Sequence, residues 1–230
     1  RHTRYYSDWS SDVCSSDLKN MVFGMTWGRA MHEFVEQLAK DERLRSLSFQ
    51  NVKVVPFLGT PGAIQSDSWN TTTYSNTLAT KVGNLLHCAS YNLSAPMYVE
   101  GTKEKELIES IDEIAKVLHM AETADIALIG IGSMQDDSSI IKAEIRTKEE
   151  YKELVRKGAV GEIVGRIYDK NGQTVDEDLK RKMVGISLDK IAKIPVRVGM
   201  SYGKDKIEAI KGAIAGGLVN VLVTDVPTAE

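Results

Sequence analysis

Several short stretches of the chain carry residue types that can hold an oxygen-rich anion or a sugar, and each sits where an apolar run gives way to polar residues. Gly24-Met25-Thr26-Trp27-Gly28-Arg29 places two glycines, a hydroxyl and an indole between an apolar run and a helical stripe. Glycine lets a ligand approach the backbone, and the unpaired amides of a helix start suit a phosphate. The same kind of turn also occurs with no ligand, with Trp27 as a core anchor. It is neither a Walker loop, lacking Gly-Lys-Ser/Thr, nor the three-glycine dinucleotide fingerprint. Asp67-Ser68-Trp69-Asn70-Thr71-Thr72-Thr73 leads into a helix, so Asn70 and Thr71 are either caps or groups that reach sugar hydroxyls. Gly130-Ile131-Gly132-Ser133 is a strand end that needs small residues either for packing or for a ligand. Glu162 is a single carboxylate in an apolar stretch, where a charge needs a partner. Sugar hydroxyls and Arg166, placed at even spacing and so on the same strand face, both qualify. Tyr202-Gly203-Lys204-Asp205-Lys206 offers lysines that either neutralise phosphate or stay solvated.

Catalysis would need more than this. Isomerisation of a sugar phosphate requires a general base at the substrate carbon and a partner acid. Glu162 is the one well-placed carboxylate, Asp225 is a reserve at a strand end, and His32, His87 and His119 have no evident partner in sequence. Cys14 and Cys88 have neither metal-ligand spacing nor the makings of a disulfide framework. The expectation is therefore no catalytic residue, no metal and no cofactor, in a reducing cytoplasm. No apolar run approaches the roughly 18 residues needed to span a bilayer, and the first residues hold no apolar core that could act as a secretory signal, so no membrane partner is expected. Asn70-Thr71-Thr72 and Asn92-Leu93-Ser94 match the glycosylation acceptor pattern by chance on this reading.

The elements that must position these groups alternate in type. Met21-Val22-Phe23 reads as a strand, and Met31, Phe34, Val35 and Leu38 follow as one helical face. Val52–Phe57 is a second strand, closed by Gly59, Pro61 and Gly62. Tyr74, Leu78 and Val82 mark a helix ending at Gly83. An extended stretch surrounds Pro96–Val99, and Leu107, Ile108, Ile111, Ile114 and Leu118 form the stripe of one longer helix. Ala124–Gly132 is a near-continuous apolar run, as expected of a strand buried on both faces of a parallel sheet. A charged helix over Lys148–Lys157 precedes the strand Val160–Tyr168, after which Asp169-Lys170-Asn171-Gly172 signals a hairpin. Pro195–Met200, the helix of Ile207, Ile210 and Ile214, and Leu218–Asp225 complete a strand-helix-strand crossover. The fold class is α/β: an open, mainly parallel Rossmann-like sheet flanked by helices, whose ligands bind at the carboxyl ends of the strands.

Composition agrees. The 230 residues are 42% hydrophobic and 27% charged with a formal charge of −3, ordinary values for a soluble domain that buries on the order of 70% of its unfolded surface. The acidic balance gives no general attraction to nucleic acid. Residues 1–18, rich in Ser and Asp and without any period, join abruptly to a well-patterned chain. They read as a non-native, adaptor-like or disordered segment, with the domain proper over 19–230.

GMTWGRAM, VVPFLGT, WNTTTYSNTLATKVG, SAPMYVEG, ADIALIGIGSM, GAVGEIVGRIYDKNG and the stretch from VGISLDKIAKIPVRVGMSYGKDKIEAIKGAIAGG to LVNVLVTD resemble, in unbroken order, the sugar-binding domain of SorC-type bacterial transcription regulators. The resemblance implies a fold similar to glucosamine-phosphate deaminases and ribose-phosphate isomerases without their catalysis. It also implies a phosphorylated sugar as effector, and control of oligomerisation and of DNA binding by the full-length protein. DNA would be met only through an N-terminal helix-turn-helix domain absent from this chain, and a homo-oligomer, dimer or tetramer, is expected. Carried over by matched motif, Gly24, Thr26, Trp27 and Gly28 with Asn70 and Thr71 would line the pocket. Gly132 would approach the ligand, Glu162 would bind hydroxyls, and Lys206, with Lys204 as runner-up, would meet the charged end. Tyr202 departs from the small residues usual in the family and would narrow the pocket. The alternative is a sugar-phosphate isomerase or deaminase.

Overall fold

Consecutive valines on one strand define the architecture: Val54 packs into one hydrophobic core and Val55 into another, because successive side chains of a strand point to opposite faces. The computed structural model describes residues 20–42, 44, 49, 51–61, 71–136 and 138–230; the 1–18 segment and Asn70 lie outside the described residues. Within them, β1 (Val22–Met25), β2 (Lys53–Pro56), β3 (Ala89–Ser90), β4 (Ile126–Gly130), β8 (Val196–Met200) and β9 (Val221–Val223) form a six-stranded sheet in the order β3-β2-β1-β4-β8-β9. Every pairing in it is parallel. On one face lie α1 (Arg29–Leu38) and α2 (Ser75–Leu86), whose Met31, Val35, Leu78 and Val82 meet Met25 and Val54. The other face carries Val55, Ala127 and Ile129 into the larger core, which takes in Ala121 of α4 (Asp112–Glu122).

A second, three-stranded antiparallel sheet has the order β5-β6-β7, from Gly132–Ser133, Ala159–Ile163 and Arg166–Asp169. It is braced by α6 (Lys148–Arg156) and α9 (Ile207–Ala215). The start of α6 is fixed by a reciprocal cap, in which Thr147 accepts from the Glu150 amide and Glu150 accepts from the Thr147 amide. The shorter helices are α3 (Thr102–Glu109), α5 (Ser139–Lys142), α7 (Glu177–Lys182), α8 (Leu188–Ile191) and α10 (Val226–Ala229).

Several expectations are corrected. The stripe from Leu107 to Leu118 is two helices, α3 and α4, because Ile111 adopts an extended conformation between them and the Ser110 hydroxyl turns back to donate to the Leu107 carbonyl at 2.7 Å. Leu107 and Ile111 are accordingly exposed rather than buried with Ile114. Pro96–Val99 makes only isolated bridges, Thr60 with Pro96 and Tyr98 with Met183, while the sheet's edge position belongs to the two-residue β3. The apolar run to Gly132 changes sheets at Ile131: β4 ends at Gly130 and Gly132 begins β5.

The stretch Val160–Tyr168 is likewise no single strand. It folds on itself at Val164-Gly165, a two-residue turn with φ of 55° and 69°, the geometry that matches the twist of paired strands. Glu162 and Arg166 therefore stand on different strands, and the even spacing that would put them on one face does not apply. Asp169-Lys170-Asn171-Gly172 makes a further turn, closed by the Gly172 amide donating to the Asp169 carbonyl at 2.9 Å.

Candidate functional site

The sheet order reverses between β1 and β4: β2 and β3 extend to one side, β8 and β9 to the other. Loops leaving two such strands must part in opposite directions, which opens a crevice at their carboxyl ends. A cavity of about 290 Å³ lies there. Its walls come from Trp27, Gly28, Arg29 and Ala30 after β1, from Gly130 to Ser133 after β4, from Ser201 to Gly203 with Asp205 and Lys206 after β8, and from Glu162 of β6.

The β1 wall is a helix start. Gly28 is the N-cap residue of α1, with φ 111°, and as a glycine it brings no side-chain cap of its own to the helix start. There is no acidic residue in the first turn, so the partial positive charge of the helix end is offset by no carboxylate of its own. The Gly28 amide donates to the Thr73 carbonyl at 2.9 Å, which ties a 3₁₀ turn over Thr71–Thr73 to this loop.

Glu162 is 6% exposed. Its Oε1 accepts from the Trp27 indole at 3.4 Å and from the Gly165 amide of the hairpin turn. Burial pushes its carboxyl above the usual range, opposed by those two donors and by the positive charges of Lys206 and Arg166. Gly132 pairs with Glu162 across the antiparallel sheet, and a Cβ on Gly132 would lie 2.7 Å from Glu162 Oε2. The carboxylate thus occupies the space a larger residue would fill.

Arg166 is not the partner of Glu162. Its buried guanidinium donates to three backbone carbonyls, Val164 at 2.8 Å, Met183 at 3.2 Å and Gly185 at 3.0 Å. It thereby clamps the β6–β7 turn, and with it the Gly165 amide that faces Glu162. Burial lowers the guanidinium to about 10, against the pull of Glu109, Glu162 and Asp189.

At the β8 end, Lys206 Nζ donates to Ser133 Oγ at 2.7 Å, and Ser133 Oγ donates to Asp205 Oδ2 at 3.2 Å. Lys206 also lies 3.5 Å from that carboxylate. Lys204 is exposed and away from the cavity, so of the two lysines the geometry selects Lys206.

The structure brings Trp27, Gly28, Gly132, Glu162 and Lys206 to one cavity. It places Gly24, Thr26 and Thr71 elsewhere. Gly24 lies inside β1, and the ring of Phe57 fills the place of its missing side chain. Thr26 is fully buried, and its hydroxyl accepts from the Gly130 amide at 2.7 Å, joining the ends of β1 and β4. Thr71 is exposed and off the cavity wall, and the adjoining Thr72 lines a separate polar groove with Asn76 and Thr80. Ser133 and Asp205 are wall residues that the sequence reading passed over. Both sit beside residues it singled out, but their roles depend on contacts across 72 residues of chain.

Among the described residues no group of three or more His, Cys, Asp or Glu could hold a metal ion, and no helix is long and apolar enough to cross a membrane. The family model described as "Putative sugar-binding domain" matches residues 11–230, beginning inside the segment that reads as foreign. The chain is 35% identical over 154 residues to the transcriptional regulator LsrR of Escherichia coli O157:H7, covering 65% of this chain and 49% of that protein. To LsrR of Enterobacter sp. (strain 638) it is 33% identical over 146 residues, covering 62% and 45%. The chain spans about half the length of the curated relatives it matches. Among solved structures, the full-length sorbitol operon regulator SorC from Klebsiella pneumoniae superposes with a TM-score of 0.80 at 28% identity, covering 92% of this chain and 66% of that one. The protein described as "Probable sor Operon Regulator" from Shigella flexneri gives 0.78 at 26%, covering 91% and 79%. With its fold and nearly its whole length matched, this chain belongs to the sugar-binding domain family of SorC-type bacterial transcription regulators.

Proposed function

We propose that the crevice between β1 and β4 receives a phosphorylated sugar, and that residues 19–230 act as the effector domain of a cytoplasmic regulator. Occupancy of the crevice then controls oligomerisation and the DNA affinity of an N-terminal helix-turn-helix domain in the full-length protein. The observation that carries this reading is the meeting of a helix start with no acidic residue in its first turn, a lysine and a buried carboxylate on one cavity at the reversal of strand order. The α1 amides and Lys206 suit a phosphate, and Glu162 suits sugar hydroxyls. The domain binds without turning its ligand over, in line with relatives that are named as regulators.

A thermal-shift series across phosphorylated sugars and their unphosphorylated parents tests the reading. A ligand at about a hundredfold its Kd stabilises the folded protein by about 2.7 kcal/mol, which raises the melting temperature visibly. The expected result is a shift with one or a few sugar phosphates, a smaller one or none with the parent sugars, and no product formed. Turnover of ribose 5-phosphate or glucosamine 6-phosphate would instead make the domain an isomerase or deaminase. Shifts of equal size with and without the phosphate would remove it from the reading.

A further inference from the structure

Lys206 is already engaged by a neighbour in sequence. Its ammonium, 19% exposed, lies 3.5 Å from Asp205 Oδ2, and the Ser133 hydroxyl bridges the two, accepting from the lysine at 2.7 Å and donating to the carboxylate at 3.2 Å. A missing side chain leaves Asp205 room to stand here. Gly203, at φ 102°, packs so close that a Cβ on it would lie 2.7 Å from Asp205 Oδ1. Its amide in turn donates to Thr228 Oγ1 of α10 at 2.9 Å. Asp205 itself is half exposed, so its carboxylate can turn into water at little desolvation cost.

Two anions cannot share one ammonium at close range without repelling each other. We propose that Asp205 is a built-in counter-ion of Lys206: it holds the position on the lysine that an anionic group of a ligand must take, and the pocket's affinity for anions is set by competition between the two. The proposal rests on the reading of the cavity as a sugar-phosphate site and adds to it the residue that sets its threshold. When the ligand's phosphate displaces Asp205, the Ser133 hydroxyl loses its acceptor and is free to donate to the incoming oxygen. A neutral sugar meets no such competition, so Asp205 acts on the charged part of a ligand alone.

Calorimetry with inorganic phosphate, ribose 5-phosphate and glucosamine 6-phosphate, each against wild type, Asp205→Asn, Asp205→Glu and Lys206→Met, tests this. Asp205→Asn keeps the size and hydrogen-bonding capacity of the side chain and removes its charge. It is expected to tighten phosphate-bearing probes by about fivefold to tenfold, the scale of a partly screened charge pair. Asp205→Glu restores the charge and is expected to return affinity to within about twofold of wild type on the same grounds. Unchanged or weaker binding by Asp205→Asn, with wild type binding phosphate and Lys206→Met losing it, overturns the counter-ion while leaving the phosphate site standing. If no probe binds to wild type or to Asp205→Asn, the phosphate reading falls and the counter-ion with it.

Discussion

The indole Nε1 of Trp27 lies 3.4 Å from Oε1 of Glu162, joining the loop after β1 to the antiparallel sheet across 135 residues of chain. The contact closes one side of the cavity and gives a buried carboxylate one of its two donors, the Gly165 amide being the other. Trp27→Phe keeps an aromatic ring, deletes the donor and removes the five-membered half of the indole. It is expected to lower stability by about 1 kcal/mol, the cost of a buried acceptor left short of a partner, as measured by urea denaturation. A Trp27→Phe protein as stable as wild type would mean that the indole's hydrogen bond contributes nothing net.

Glu162 makes stability and binding depend on pH in opposite senses. Burial raises its folded-state value above that of the unfolded chain, so the folded protein holds this proton more tightly. The group's contribution is therefore full below the ordinary carboxylate range and is lost as pH rises through the raised value. The groups that oppose this rise are the Gly165 amide, the Trp27 indole and the charges of Lys206 and Arg166, all of which favour the carboxylate. Glu162→Gln has no proton to lose, so its stability relative to wild type is expected to grow from acid to neutral pH. A constant difference across that range would contradict the assignment.

A sugar hydroxyl that donates to Glu162 favours the ionised form, so ligand binding is expected to strengthen as pH rises through the same interval and to expel a proton. Calorimetry in two buffers of different ionisation enthalpy reads that proton directly. Equal apparent enthalpies in the two buffers would show that Glu162 does not change protonation on binding.

How much of this was legible from the residues depends on how far apart the interacting groups lie. Val54, Val55, Ala127 and Ile129 announce a sheet covered on both faces, and the glycines at strand ends point to its carboxyl edge; both signals are local. The helix break at Ile111 is invisible to periodicity, because Ile108, Ile111 and Ile114 keep helical spacing across it. The turn at Val164-Gly165 was hidden by a β-branched residue at φ 55°, a conformation that Val adopts only where the surroundings enforce it. Here Arg166 does so, by holding the Val164 carbonyl. Thr26 has the right type and the right place in sequence for a ligand contact, yet its hydroxyl turns inward to Gly130, and nothing in its neighbours on the chain discloses that choice.

Thr26 accordingly belongs to stability. Thr26→Val preserves shape and removes the acceptor of the Gly130 amide, with an expected loss of about 1–3 kcal/mol. Thr26→Ser, which keeps the hydroxyl, is expected to lose less. Denaturation curves of the two variants separate these outcomes, and a Thr26→Val protein that matches Thr26→Ser would show that the hydrogen bond contributes nothing net.

Lys206→Met tests the charged end of the cavity. Removing the ammonium is expected to weaken a phosphorylated sugar by about 2–3 kcal/mol, the range of lost charge-assisted hydrogen bonds, and to leave weak affinity for the parent sugar nearly unchanged. Equal losses for both ligands would make Lys206 a support for Ser133 and β5 rather than a contact for phosphate.

The two glycines Gly24 and Gly132 make a matched pair, since each is small because a named side chain occupies its Cβ space. At Gly24 the occupant is the Phe57 ring, buried in the core under the sheet. Gly24→Ala must push that ring aside, and overpacking of this kind costs about 1–3 kcal/mol. At Gly132 the occupant is Glu162 Oε2, the oxygen that neither the Trp27 indole nor the Gly165 amide contacts, on a residue that lines the cavity. Gly132→Ala must displace the carboxylate itself. It is therefore expected to lower affinity for the sugar phosphate by more than about tenfold, a shift of about 1.4 kcal/mol in binding. Gly24→Ala is expected to lower the melting temperature while ligand affinity, measured well below that temperature, stays close to wild type. Denaturation and calorimetry on both variants decide the matter: a Gly132→Ala protein that binds as wild type does would show that Glu162 Oε2 takes no part in holding the ligand.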